Sequence, residues 1–166
     1  MKRCATLIVS LAAAAGVATS ALSEGDAVAD APQGAPILIA YDIVDGQSIP
    51  TPLSDLPGDP MRGASIVAAP EKGGCLACHR VAALIDQQPD QGVSGPALDG
   101  IASRISEGSL RLQIVNIGIV TPGSAMPAYY TIAGVEPLTP GGAPEPLLSA
   151  QEIEDVIAYL MTLDDG

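Results

Sequence analysis

The 166-residue chain contains no phenylalanine and no tryptophan, and only four tyrosines: Tyr41, Tyr129, Tyr130 and Tyr159. Aromatic side chains ordinarily dominate core burial, so a small domain without them is short of bulk. A large flat prosthetic group would supply it. Basic residues are also scarce, 7 against 19 acidic ones, for a formal charge of −12. Such a surface repels nucleic acid and anionic lipid and favours partners with basic patches. Nucleic-acid binding is excluded on this ground. The longest apolar run, Cys4 to Ala18, falls short of the ~20 residues that a membrane-spanning helix needs. Histidine occurs once and cysteine three times, and with Cys4 at the head of that apolar run the chain offers no second Cys/His pair to complete a four-coordinate zinc site.

The first two dozen residues have the layout of a secretory signal peptide: Lys2 and Arg3, then the apolar run, then small residues around Ala18 to Ser23. Residues 1–23 are therefore read as a leader, cleaved after Ser20 or Ser23. A lipid anchor on Cys4 does not fit, because that cysteine precedes the apolar run. Cleavage removes two basic residues and leaves 5 against 19 acidic ones, a charge of −14.

Residues 24–57 are rich in Pro, Gly, Asp and Ala and read as an extended arm wrapped on the domain. Within it "PILIAYDIVDG" is a short extended segment ending in a turn at Asp45-Gly46. The domain proper, 58–166, reads as all-α, with three to four short helices and long loops. Asp59 and Pro60 are an N-cap and first-turn pair, opening a helix that Pro70 stops. Gly63 inside it suits a close backbone approach. "SEGSLRLQIVNIG" makes another helix, with Leu110, Ile114 and Ile117 on one side. "SAQEIEDVIAYLMTL" makes the last, with the Ser149/Glu152 capping box and Ile153, Val156, Ile157 and Leu160 at helical spacing. The acidic runs "EIED" and "DDG" read as solvated faces. Segments 82–103 and 118–148 read as links, acceptable at this length if they fold onto something bound inside.

The histidine and the two cysteines outside the leader fall together in "GGCLACHRV". Cys75-Leu-Ala-Cys78-His79 is the C-x-x-C-H pattern of covalent c-type haem attachment. Two thiols one turn apart can add to the porphyrin vinyl groups, and the adjacent imidazole can reach the iron, with Leu76 and Ala77 filling the turn. A disulfide oxidoreductase would need a βαβ pattern that is missing, and a plain disulfide leaves the position of His79 to coincidence. For the sixth iron ligand the chain offers Met61, Met126 and Met161 outside the leader. Met61 and Met161 fall on helices, whereas Met126 lies in the loop "TPGSAMPAYY", stiffened by Pro127, and is assigned the role. A Met/His pair raises the reduction potential and suits electron transfer.

"CLACH", "SGPALDG" and "SAMPAY", followed by an amphipathic C-terminal helix, resemble the class I cytochrome c fold. The resemblance implies that Pro96 lends its carbonyl to the other nitrogen of His79, that Leu98 lies on the haem face, and that the first and last helices cross closely at Gly63. A narrower likeness runs from 41 to 163: "YDIVDGQSIPTPLSDLPGDPMRGASIV", "SEGSLRLQIVN", "MPAYY" and "LSAQEIEDVIAYLMTL" are similar to the SoxX family of monohaem cytochromes. That family implies a periplasmic electron-transfer subunit paired with a SoxA-like cytochrome. The pair acts as an L-cysteine S-thiosulfotransferase, oxidatively coupling thiosulfate to a cysteine of the carrier SoxYZ. A soluble cytochrome c then takes the electrons, and no residue of this subunit is catalytic. Two other readings stay open here. One is a stand-alone monohaem cytochrome feeding a terminal oxidase, to which the proline-rich arm is foreign; the other is a thiol-disulfide oxidoreductase using Cys75 and Cys78.

Overall fold

The computed structural model describes residues 38–131 and 145–164. The leader, residues 24–37 of the arm and the stretch 132–144 lie outside the described residues. Among the described residues four helices follow in chain order: α1, Pro60–Ala68; α2, Ile101–Arg104; α3, Glu107–Asn116; and α4, Ala150–Leu160. Single 3-10 turns stand at Cys75–Ala77, Ala82–Leu84 and Ile117–Ile119. Among the described residues there is no strand, only an antiparallel bridge between Val44 and Ser48. The reversal between them uses Asp45 and Gly46 at positive φ, 52° and 66°, as the Asp-Gly pair foretold.

Local chemistry sets the helix ends. The Asp59 carboxylate accepts from the Met61 and Arg62 amides at 2.8 and 3.2 Å, satisfying donors that the first turn leaves open. At α4 both halves of the capping box form: Ser149 accepts from the Glu152 amide, and the Glu152 carboxylate accepts from the Ser149 amide. α3 is capped by the Ser106 hydroxyl. The unanticipated element is α2, one short turn after Gly100, which sits at φ 68°. Its brevity leaves no hydrophobic period to read.

Helices α1 and α4 cross where Gly63 meets Asp155 and Tyr159. A side chain at position 63 would collide with the Asp155 carbonyl oxygen, so only glycine admits this approach. The crossing buries Val67 of α1 against a core that includes Ile153, Val156, Ile157 and Leu160 of α4. Each such aliphatic side chain contributes on the order of 1.5–3 kcal/mol when taken from water.

The run "EIED" is not a solvated face. Glu154 and Asp155 are 6% and 1% exposed. Asp155 pairs with Arg62 at 2.8 Å and accepts from the Asp59 amide at 2.8 Å. Glu154 takes a two-pronged bond from Arg111, Nε to Oε1 and Nη2 to Oε2, each 2.8 Å, and Arg111 is itself 2% exposed. The same two side chains fasten the arm. Arg111 donates its other nitrogen to the Ile49 carbonyl, and Glu154 accepts from the Leu53 amide, both at 2.8 Å. Ile49 and Leu53 are buried. The described part of the arm is thus built into the core through an ion pair that spans α3 and α4.

Candidate functional site

The segment bearing both cysteines curls tightly after Gly74, which adopts φ 60°. The amides of Cys78 and His79 both donate to the Cys75 carbonyl, at 3.2 and 2.9 Å. One turn therefore gathers Cys75, Cys78 and His79. Leu76 does more than fill it, being buried in the core and anchoring the turn from below. The two thiols are free, Cys75 half-buried and Cys78 exposed. Burial pushes the Cys75 thiol up to about 11, partly offset by its own backbone and by a hydrogen bond with the Tyr129 hydroxyl.

Residues 92–98 are laid along this turn by three amide bonds: Gly92 to the Leu76 carbonyl, Gly95 to that of Cys78 and Leu98 to that of Arg80. Gly95 faces the imidazole so closely that a Cβ would come within 2.5 Å of the His79 Cε1. The approach brings the Pro96 carbonyl to 2.7 Å from His79 Nδ1. A carbonyl only accepts, so the proton sits on Nδ1 and the lone pair on Nε2, the form in which imidazole ligates a metal. Arg104 of α2 steadies the loop by donating to the carbonyls of Ala97 and Asp99.

Opposite stands the loop 124–130, fixed by the Tyr129 and Tyr130 amides donating to the Ile114 and Val115 carbonyls of α3. Between the two walls open two adjoining hollows. Both are lined by the same six residues: Cys75, His79, Pro96, Gln113, Met126 and Tyr129. Leu98, Leu110, Ile114, Val156 and Leu160 give the smaller hollow an aliphatic floor, and Cys78 stands at the larger one. Met61 is exposed and Met161 does not line either hollow. The donor set fits a covalently held haem: two thiols, an imidazole with its free nitrogen available, a thioether and an apolar seat. It does not fit an ion held by side chains alone, for among the described residues no group of three or more His, Cys, Asp or Glu could hold one.

The cytochrome c family model matches residues 61–164. The chain belongs to the cytochrome c family. It is also similar to a chain in the crystal structure of SoxXA from P. pantotrophus, at 36% identity and a TM-score of 0.67 over 75% of this chain and 95% of that one. None of the curated proteins matches it. The all-α fold is that of a SoxX-like monohaem cytochrome, and its cofactor is covalent haem c.

Sequence reasoning reached Cys75, Cys78, His79, Pro96, Leu98 and Met126, each of which lines one or both of the hollows. It missed Gln113, whose amide is the lone polar side chain that α3 turns toward both hollows, and it gave Tyr129 no role. The signal for Gln113 was present in its spacing from Leu110, Ile114 and Ile117. A polar residue on an apolar face is easily passed over.

Proposed function

We propose that this protein is the periplasmic electron-transfer subunit of a SoxAX-type complex that oxidatively joins thiosulfate to a cysteine of a SoxYZ carrier. Haem c, when bound, supplies a one-electron couple, and Met/His ligation leaves it without an open coordination position. Cys75 and Cys78 would hold the ring by thioethers. His79, oriented by the Pro96 carbonyl, and Met126 on the facing wall would supply the iron ligands. Leu98 would contribute to the apolar seat. The chain itself performs no bond-making chemistry; it accepts electrons singly from a SoxA-like subunit and passes them to a soluble cytochrome c.

The observation that carries this reading is that one pair of adjoining hollows has both His79 and Met126 on its walls, with Cys75 at its edge. The likeness to a SoxXA chain supports the choice of partner over a stand-alone shuttle. So does the arm, which a bare carrier does not need. Two measurements test the proposal. Haem staining after denaturing electrophoresis is expected to colour this chain, whereas a thiol-disulfide enzyme stays colourless. Co-purification from the periplasm is expected to bring down a second cytochrome at one-to-one stoichiometry; a monomer recovered alone at physiological salt would refute the subunit reading.

A further inference from the structure

Two consecutive tyrosines follow Met126 by three and four residues, and they are tied in different directions. The Tyr130 hydroxyl accepts from the Ile39 amide of the arm at 2.8 Å, and its ring meets Tyr41. The Tyr129 hydroxyl crosses the cleft instead. It donates to the Gly73 carbonyl at 2.7 Å, fully buried, two residues before Cys75 and six before His79. The other hydrogen bonds of 126–130 among the described residues run to Ser124, to α3 and to Leu148, not to the segment that carries His79. Tyr129 thus joins the wall bearing one proposed iron ligand to the wall bearing the other.

We infer that Tyr129 is a positioning residue, a tether from the Met126 loop to the haem-attachment segment that holds the methionine against the iron and slows its replacement by an outside ligand. The inference rests on the assignment of Met126 as sixth ligand. Its physical basis is simple. A metal–thioether bond persists when the two walls keep their spacing, and a buried hydroxyl on a backbone carbonyl opposes their separation. Removing the hydroxyl leaves the Gly73 carbonyl without that donor inside the protein, which opposes refastening in the same geometry. Gly73 is suited to the role, because a side chain there would press on the Ile66 carbonyl and on Cys75 Sγ.

The test is imidazole binding to the ferric holoprotein, followed by the absorption change as the distal ligand is displaced. Tyr129→Phe keeps the ring and is expected to raise imidazole affinity by about three- to tenfold, the range that one buried hydrogen bond supports. Tyr130→Phe removes an equivalent hydroxyl from the arm side and is expected to stay near wild type while losing similar thermal stability. Met126→Ala is expected to bind imidazole most tightly of all. If Tyr129→Phe titrates like wild type, or if Tyr130→Phe matches it, the tether is refuted although Met126 stands. If Met126→Ala itself titrates like wild type, the ligand assignment fails and takes the tether with it.

Discussion

The Arg111–Glu154 pair gives the sharpest quantitative test of how this fold holds together. Arg111→Met keeps the aliphatic stem but leaves the Glu154 carboxylate buried at 6% exposure, with only the Leu53 amide for company. Breaking a buried pair from one side costs about 3–5 kcal/mol, because a charge is left uncompensated in a poor solvent for it. Glu154→Leu strands the guanidinium and should cost about as much. The double variant carries no stranded charge. It loses only the partners of the Ile49 carbonyl and the Leu53 amide, at about 1–3 kcal/mol each. The double should therefore fall short of the sum of the singles by on the order of 3 kcal/mol. Urea unfolding of the three holoproteins, followed by far-UV circular dichroism, measures this directly. With a slope of about 1–3 kcal/mol per molar, each single should shift the midpoint by more than about 1 M. Additive singles, or single losses below about 1 kcal/mol as for an exposed pair, would refute the argument.

Three further outcomes follow from the geometry. Gly63→Ala puts a methyl group into the Asp155 carbonyl, where backbone cannot yield, so it should destabilise the holoprotein by at least about 2 kcal/mol in the same urea assay; a neutral substitution would mean that α1 and α4 can slide apart. Met126→His should leave the haem attached and lower its reduction potential in a redox titration, whereas an unchanged potential assigns the sixth ligand elsewhere. For acid stability, burial pushes Asp155 upward, but bonds from Arg62, the Asp59 amide and Gln151 outweigh it and hold the carboxyl below its usual value. Glu152, held down by Lys72 and Ser149 against its own desolvation, behaves alike. A carboxyl lowered by folding stabilises at pH above its unfolded value and loses that stabilisation as pH falls. The melting temperature should thus drop below about pH 4, and Asp155→Asn should flatten that limb; an unchanged limb would show that Asp155 does not govern it.

The parts legible in the sequence were those whose cause is local. Asp59-Pro60, Ser149 with Glu152, and Asp45-Gly46 each act within four residues, and each forms as read. C-x-x-C-H is likewise one turn of chain. What escaped depends on distance. Glu154 and Asp155 look like surface charges because their cations stand 43 and 93 residues away, and no spacing rule links Arg111 or Arg62 to them. Helix α3 is harder still. Leu110 and Ile114 face the hollow, while Leu112, Val115 and Arg111 are buried as well, so it has no single apolar stripe. A helix covered on several sides does not announce its orientation.

The missing aromatics and the central hollow are two views of one constraint. Three of the four tyrosines, Tyr129, Tyr130 and Tyr159, are buried, and the rest of the core is aliphatic. Protein interiors fill to crystal-like density, and the loss of even a few methylenes is felt. A domain of this size that leaves a hollow between α3, α4 and the Cys75–His79 turn therefore depends on whatever fills it. Covalent attachment of the haem suits that dependence, since a covalently held filling cannot be lost to dilution. It also explains why the walls are fastened so heavily away from the haem seat: by Arg111 and Glu154 beneath the arm, by Arg104 behind Pro96, and by Tyr129 across the cleft.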